Sequence, residues 1–161
     1  MARTTSAGQV AIVPFRPDLA AAFADLNREW IERFFRIEEA DLKVLRNPEA
    51  AIISKGGQIF FAIDGTEPVG TAAALRISPT VFELAKMAVR PSHHGRGLGE
   101  RLGHAVIDHA RGVGARMVCL ETNGVLATAI RLYERLGFVH VVRPAPSVYA
   151  RSDIYMELDL R

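Results

Sequence analysis

Between Val89 and Gly99 the chain reads Val-Arg-Pro-Ser-His-His-Gly-Arg-Gly-Leu-Gly, with glycines at 95, 97 and 99. The chemistry open to such a run is the holding of an anion. Glycine lets backbone approach a ligand closely and take positive φ. A helix that starts there adds unpaired N–H groups and the positive end of its dipole, the usual setting for a phosphate. A merely flexible, glycine-rich turn is the plain alternative. A P-loop fails, because no lysine follows these glycines. A dinucleotide fold asks for G-x-G-x-x-G. Gly97-Leu98-Gly99 begins one, but Leu102 stands at the third glycine position. Glu121 could mimic the ribose-binding acid at about 20 residues' distance. The long approach from Val89 to Gly95 and an antiparallel run of strands before it make a dinucleotide-binding oxidoreductase the second reading.

A further motif narrows the choice. Asn123-Gly-Val-Leu-Ala-Thr-Ala-Ile-Arg-Leu-Tyr133-Glu-Arg-Leu-Gly137-Phe138 has an asparagine after a strand and a helix ending in L-Y-x-x-L-G-F. This segment looks like the later motif of the GNAT N-acetyltransferase superfamily. His94-Gly95-Arg96-Gly97-Leu98-Gly99 resembles that family's acyl-CoA signature, [Q/R]-x-x-G-x-[G/A], with histidine in place of Gln or Arg. The two motifs stand in the family's order, and the similarity is sharp from Glu83 to Phe138.

The resemblance implies one GNAT domain over residues 1-161 and an α+β fold, a mostly antiparallel sheet of about seven strands flanked by helices. It implies acetyl-CoA as co-substrate, no metal, and direct transfer of an acetyl group to a primary amine in a ternary complex. The acceptor would be a small-molecule or peptide amine, and a homodimer is compatible with the family. The backbone of residues 94–99 would hold the pyrophosphate, so His94, Gly95, Arg96, Gly97, Leu98 and Gly99 are cofactor residues. As in that family, the strand before the turn would be splayed and bulged, Met87, Ala88 and Val89 would pair with the pantetheine arm as an added strand does, and Asn123 joins the cofactor side. Tyr133 would protonate the thiolate, and Glu83 matches the base of a subset that includes histone acetyltransferases. Trp30, Phe34, Phe35, Tyr149 and Arg151 would wall the acceptor side. A non-catalytic acyl-CoA-binding module shares most of these features.

Several of these residues also have plainer readings. A phenol titrates near 10, close to the thiol range, yet Tyr133 also fits a buried position in Ile130, Tyr133, Leu136 spacing. Period two places Glu83, Ala85, Met87 and Val89 on one face of a strand. An acid in so apolar a strand is unfavourable unless paired or functional, and Lys86 or Arg76 could pair with it. Glu121 is a second candidate base. The aromatics of residues 30–35 fit core packing equally well. Arg151 either holds a carboxylate in bidentate fashion or stays solvated. Cys119 reads as a small core residue. His93-His94 is not a chelating spacing, His104 and Asp108 form a surface pair, and His109 lines the core.

The elements that must position these groups follow from periodicity and turn signals. Val10 to Val13 is a strand ended by Pro14. Pro17-Asp18 opens a helix whose apolar face is Leu19, Phe23, Leu26, Trp30 and Phe34. A short helix spans Glu38 to Arg46, and Asn47-Pro48 starts another turn stopped by Gly56-Gly57. Gln58 to Ile63, Val69 to Ile77 and Val81 to Val89 are three antiparallel strands. Gly97 to Val113 is helical, Ala115 to Glu121 a buried strand, and Val125 to Leu136 a helix closed by Gly137. Phe138 to Val142 and Ile154 to Leu160 are the last strands.

Composition sets the outer bounds. The chain has 161 residues, 49% hydrophobic and 24% charged, with one cysteine and a net charge of +2. That excludes a disordered chain and a disulfide framework. It offers no clustered basic footprint for nucleic acid. No run of about 18 apolar residues is present to span a membrane. Met1 to Gln9 is polar and lacks a secretory apolar stretch. These features point to a cytoplasmic protein.

Overall fold

The computed structural model describes residues 9–161. Apart from Gln9, the signal-free start read at Met1 to Gln9 lies outside the described residues. Seven strands form one sheet in the order β1-β2-β3-β4-β5-β7-β6. They are β1 (Val10–Pro14), β2 (Gln58–Asp64), β3 (Glu67–Ser78), β4 (Val81–Val89), β5 (Met117–Thr122), β6 (Val139–His140) and β7 (Ile154–Asp159). The five α-helices are α1 (Ala20–Phe34), α2 (Glu39–Leu45), α3 (Pro48–Ala51), α4 (Leu98–Gly112) and α5 (Ala127–Arg135).

Each face of the sheet has its own core. Phe23 and Ile31 of α1 pack with Leu45, Ile52, Phe61 and Ala73 on one face. Leu98, Leu102, Val106 and Ala110 of α4 pack with Ala72, Phe82, Leu84 and Val118 on the other. The three- and four-residue steps of those helices place such side chains on a single stripe. α5 sits close against α4, because a Cβ on Gly103 would stand 2.6 Å from Leu136 Cδ1. A methyl there would force the Leu136 side chain to shift. Among the described residues no helix is long and apolar enough to cross a membrane.

Of the paired strands only β4 and β5 run parallel, and they touch over three pairs, Val81 with Met117 to Glu83 with Cys119. Every other pairing is antiparallel. That overturns the dinucleotide reading, which needs a mostly parallel, doubly wound sheet. Beyond Glu83 the two strands part. β5 continues against β7 as far as Thr122 with Ile154, while the β4 edge from Leu84 onward has no β5 partner.

The expected face shared by Glu83, Ala85, Met87 and Val89 is also corrected. Ala85 opposes Ala73 and Ala88 opposes Thr71, so β4 holds one extra residue between those pairs. The irregularity centres on Lys86, at φ +52°. A bulge of this kind changes the phase of the alternation. Glu83 and Ala85 stay on the α1 side, opposite Leu75 and Ala73. Met87 and Val89 turn to pack on the α4 side.

Two other elements are shorter than the periodicity predicts. The helix predicted over Val125 to Leu136 begins at Ala127, because Asn123 turns the chain first, taking the Leu126 amide on its carbonyl at 3.0 Å. The strand predicted over Phe138 to Val142 is only Val139–His140. After it Arg143 turns in to bond Glu121 at 2.7 Å, which ends the pairing.

Candidate active site

The parting of β4 and β5 opens a cavity of about 250 Å³. α1 walls it with Trp30 and Ile31, and Phe35 stands just beyond. β4 contributes Glu83, Ala85, Lys86 and Met87; β5 and its following turn give Glu121, Thr122 and Asn123. Tyr133 enters from α5, and Tyr149 and Arg151 from the 147–152 loop. Thus Trp30, Glu83, Met87, Asn123, Tyr133, Tyr149 and Arg151, predicted separately, meet around one space. Phe34 does not join them. It is 46% exposed and its ring lies tilted by 50° against that of Trp30, centroids 5.3 Å apart. Ala88 is buried and Val89 packs toward α4, so neither lines the cavity.

Glu83 has no hydrogen-bond or ion-pair partner among the described residues. Lys86, one of the two cations that could have paired with it, bonds Asp41 instead at 2.5 Å. Arg76 lies against Gly56. Burial, followed by the charge of nearby Glu121, pushes the Glu83 carboxyl up to about 7. Glu121 goes the other way. Burial opposes its charge, but hydrogen bonds from Ser147, Arg143 and Ser152 outweigh it and hold the carboxyl below its ordinary value. One carboxyl is held charged while its neighbour is poised to exchange a proton near neutrality, a separation typical of acid–base sites. Of the two, only Glu83 is placed to change protonation near neutrality.

Burial pushes the Tyr133 phenol up to about 12. That leaves it protonated at any working pH, though farther from the thiol range than a free phenol. A thiol in the same cavity would be raised in the same direction. The ring packs edge-on to Phe138 at 6.3 Å. No described residue takes its hydroxyl. Cys119 is buried, and burial, then the Glu83 charge, pushes its thiol up to about 12. Such a thiol is a core residue, not a nucleophile.

At the glycine-rich turn, Gly95 and Gly97 have φ of +76° and +72°, and a Cβ on either would meet nothing within 4 Å. Gly97 is the N-cap of α4, and no side chain caps the helix. The first-turn amides are open to an anion, while buried Leu98 anchors the turn. His94 and Arg96 are exposed. The His94 ring donates from Nε2 to the Val89 carbonyl at 2.8 Å, pinning the turn to the end of β4. Gly99 lies against α5, where a Cβ would stand 3.0 Å from Leu132. Asn123 serves the scaffold as well: its Nδ2 donates to the Arg151 carbonyl at 2.7 Å and its Oδ1 accepts from the Val125 amide at 2.9 Å.

Arg151 holds a carboxylate in bidentate fashion, as one of its two readings had it, but the carboxylate is Asp41. The two bonds measure 2.7 and 2.8 Å. Sequence reasoning missed Asp41 and Glu38 as site residues and with them the actual partner of Lys86. The available signal was the i, i+3 spacing of Glu38 and Asp41, which brackets the start of α2. The Glu38 amide donates to Asp41 at 2.8 Å there. His104 was likewise paired wrongly. It faces Glu100 at 3.9 Å, while Asp108 faces Arg111 at 3.6 Å. His109 does line the core, edge-on to Phe60 and Phe82.

A mixed sheet whose one parallel pair splays beside a bulge, above a bare glycine-rich helix start, is the GNAT fold. The Acetyltransferase (GNAT) family matches residues 20–138, and the chain belongs to it. A GNAT acetyltransferase from Staphylococcus aureus Mu50 superposes with a TM-score of 0.87 at 20% identity, covering 95% of this chain and all of that one. The yncA protein of Salmonella typhimurium, solved with its cofactor acetyl-CoA, gives 0.74 at 22%, over 96% and 95% of the two chains. These likenesses show the fold. In sequence, the uncharacterised N-acetyltransferase YjgM of Escherichia coli is 32% identical over 94 residues, 56% of this chain and 56% of its own. Mycothiol acetyltransferase of Corynebacterium glutamicum is 35% identical over 92 residues, 55% of this chain and 32% of its own length. The chain thus aligns with about half or less of these relatives.

Proposed function

We propose that this chain is an N-acetyltransferase that moves an acetyl group from acetyl-CoA directly to a primary amine, both bound at once. The observation that carries the reading is the unpaired Glu83 carboxyl, raised to about 7, in one cavity with the protonated Tyr133 hydroxyl. The residues fit the co-substrate. The uncapped start of α4 and the open space beside Gly95 and Gly97 suit a diphosphate. The β4 edge at Met87 to Val89, which no described strand covers and where His94 holds only the Val89 carbonyl, suits the amide-bearing pantetheine arm. When bound, acetyl-CoA supplies an acyl group already activated as a thioester.

Each protein group then has one task. The amides of the 94–99 turn hold the anion. The β4 edge fixes the direction of the arm toward the cavity. Glu83 accepts the proton of the incoming ammonium, directly or through one water. The Tyr133 hydroxyl holds a proton for the departing sulfur. Trp30, Phe35 and Tyr149 exclude water and orient the amine.

A thiol-release screen of amines with acetyl-CoA tests this. Turnover is expected with at least one amine. Tyr133→Phe should lower kcat by roughly 10²–10⁴; an unchanged rate removes its role. Tight CoA binding with no thiol release from any amine would favour a non-catalytic acyl-CoA module.

A further inference from the structure

The acceptor side of the cavity carries two cations, Lys86 and Arg151, and both are committed to this protein's own carboxylates. Asp41 accepts from Lys86 Nζ at 2.5 Å and from the two Arg151 nitrogens at 2.8 and 2.7 Å. Its side chain is fully buried. Glu38 takes Arg151 at 3.2 Å and the Ala150 amide at 2.9 Å. Lys86 and Arg151 also lie over the Tyr149 ring, 4.5 and 4.7 Å from its centroid. Behind Glu121, Arg143 is bound to that carboxylate at 2.7 Å. Glu83 alone among the cavity's charged groups has no partner of opposite sign. The rest of the acceptor wall is mostly apolar, with Trp30, Ile31, Phe35, Leu75 and Val148, and polar only at Asn27 and at Ser152, which already bonds Arg143.

We propose that the acceptor is a primary amine on an apolar or aromatic stem with no carboxylate beside the amine, and that Asp41 sets this preference by occupying the two cations that would otherwise receive one. The inference rests on the acceptor-cleft reading above and deepens it. A carboxylate carried into this cavity would be desolvated without a free cation and would face Glu83 and Glu121. An ammonium group meets the opposite field and aromatic faces. A free amine and a lysine side chain on a polypeptide share this chemistry.

Trp30 is the chain's one tryptophan and lines the cavity, so its fluorescence reports binding without turnover. Phenethylamine and phenylalanine differ by the carboxylate alone. Phenethylamine is expected to bind at least about tenfold more tightly than phenylalanine. Equal or tighter binding of phenylalanine, or no response to any amine, overturns the proposal. N-acetyl-lysine methylamide separates the sources. A response stronger than that of phenethylamine, with phenylalanine still weak, keeps the exclusion and assigns the amine to a polypeptide. The binding preference without thiol release would remove the transferase reading and leave this inference standing.

Asp41→Asn releases both cations and should raise phenylalanine affinity relative to phenethylamine about tenfold. Arg151→Lys keeps the charge and loses the fork onto Asp41, so it serves if the first variant does not fold. It should move the ratio the same way by a smaller factor. A ratio unchanged in every folded variant overturns the role of Asp41.

Discussion

The turn after β4 and the acceptor side of the cavity are built on opposite plans. At residues 95–99 what is offered is backbone: two glycines in the left-handed region, an uncapped helix start, and open space where side chains would be. Around Lys86 the offering is side chain throughout. Asp41, Glu38, Lys86, Tyr149 and Arg151 interlock across α2, β4 and the 147–152 loop. The first end comes from one contiguous segment. The second joins residues 45 and 110 positions apart. The difference separates two demands. A backbone cradle binds while adding little to stability. An interlocked ionic cluster fixes the shape of the cleft, and the fold depends on it.

Asp41→Asn should break that division most violently if it is wrong. Removing one charge of a buried ion cluster leaves Lys86 and Arg151 uncompensated, a loss of about 3–5 kcal/mol. Denaturant unfolding measures it. CoA affinity, read by calorimetry on the folded fraction, should change far less. A destabilisation below about 1 kcal/mol, the value of an exposed pair, would mean that the cluster is not the brace described.

Glu83 belongs to neither region and sharpens the contrast through pH. Its folded carboxyl titrates near 7, against 4.5 for the ordinary group. Between those values the folded chain keeps a proton that the unfolded chain has released. Stability contributed by this group is therefore present at low pH and lost as pH rises through 7. From pH 4 to pH 8 the change amounts to about 3 kcal/mol. Glu83→Gln should remove that slope, so wild type loses stability relative to the variant as pH rises. The same substitution should erase the acid limb of the pH–rate profile near 7. A variant that keeps both the slope and the limb assigns them to another group.

These two plans also explain what could be read from sequence. The glycines at 95, 97 and 99 are contiguous and chemically odd, so the turn was legible. Gly137 and the L-Y-x-x-L-G-F helix were legible for the same reason. The succession of elements along the chain, with its run of three antiparallel strands, followed from period-two runs and turn signals. The resemblance implied a bulged strand, but the residue that carries the bulge was not legible. Nothing in Leu84-Ala85-Lys86-Met87 marks a lysine at positive φ, because the conformation is imposed from outside. Lys86 bonds Asp41 and Tyr149, both distant in sequence. That one extra residue moved Met87 and Val89 to the other face. Arg151 was recognised as able to grip a carboxylate, but its partner lies on α2. Long-range ionic pairing leaves no periodic trace.

The smallest effect makes the finest cut, because two glycines of the same region should respond in opposite ways. Gly97 has φ +72° and free space around its missing Cβ, whereas Gly103 would place a Cβ 2.6 Å from Leu136. Gly97→Ala strains only its own backbone, which costs about 1 kcal/mol. Its methyl, however, projects from the N-cap beside the amides assigned to the diphosphate, so CoA affinity should fall about tenfold or more, equivalent to about 1.4 kcal/mol. Gly103→Ala crowds α4 against α5 and should destabilise by about 1–3 kcal/mol, with CoA affinity nearly intact. Paired unfolding and calorimetry on the two variants read both quantities. If Gly97→Ala binds CoA as wild type does, bare backbone is not what grips the anion there, and the division between a binding end and a bracing end is lost.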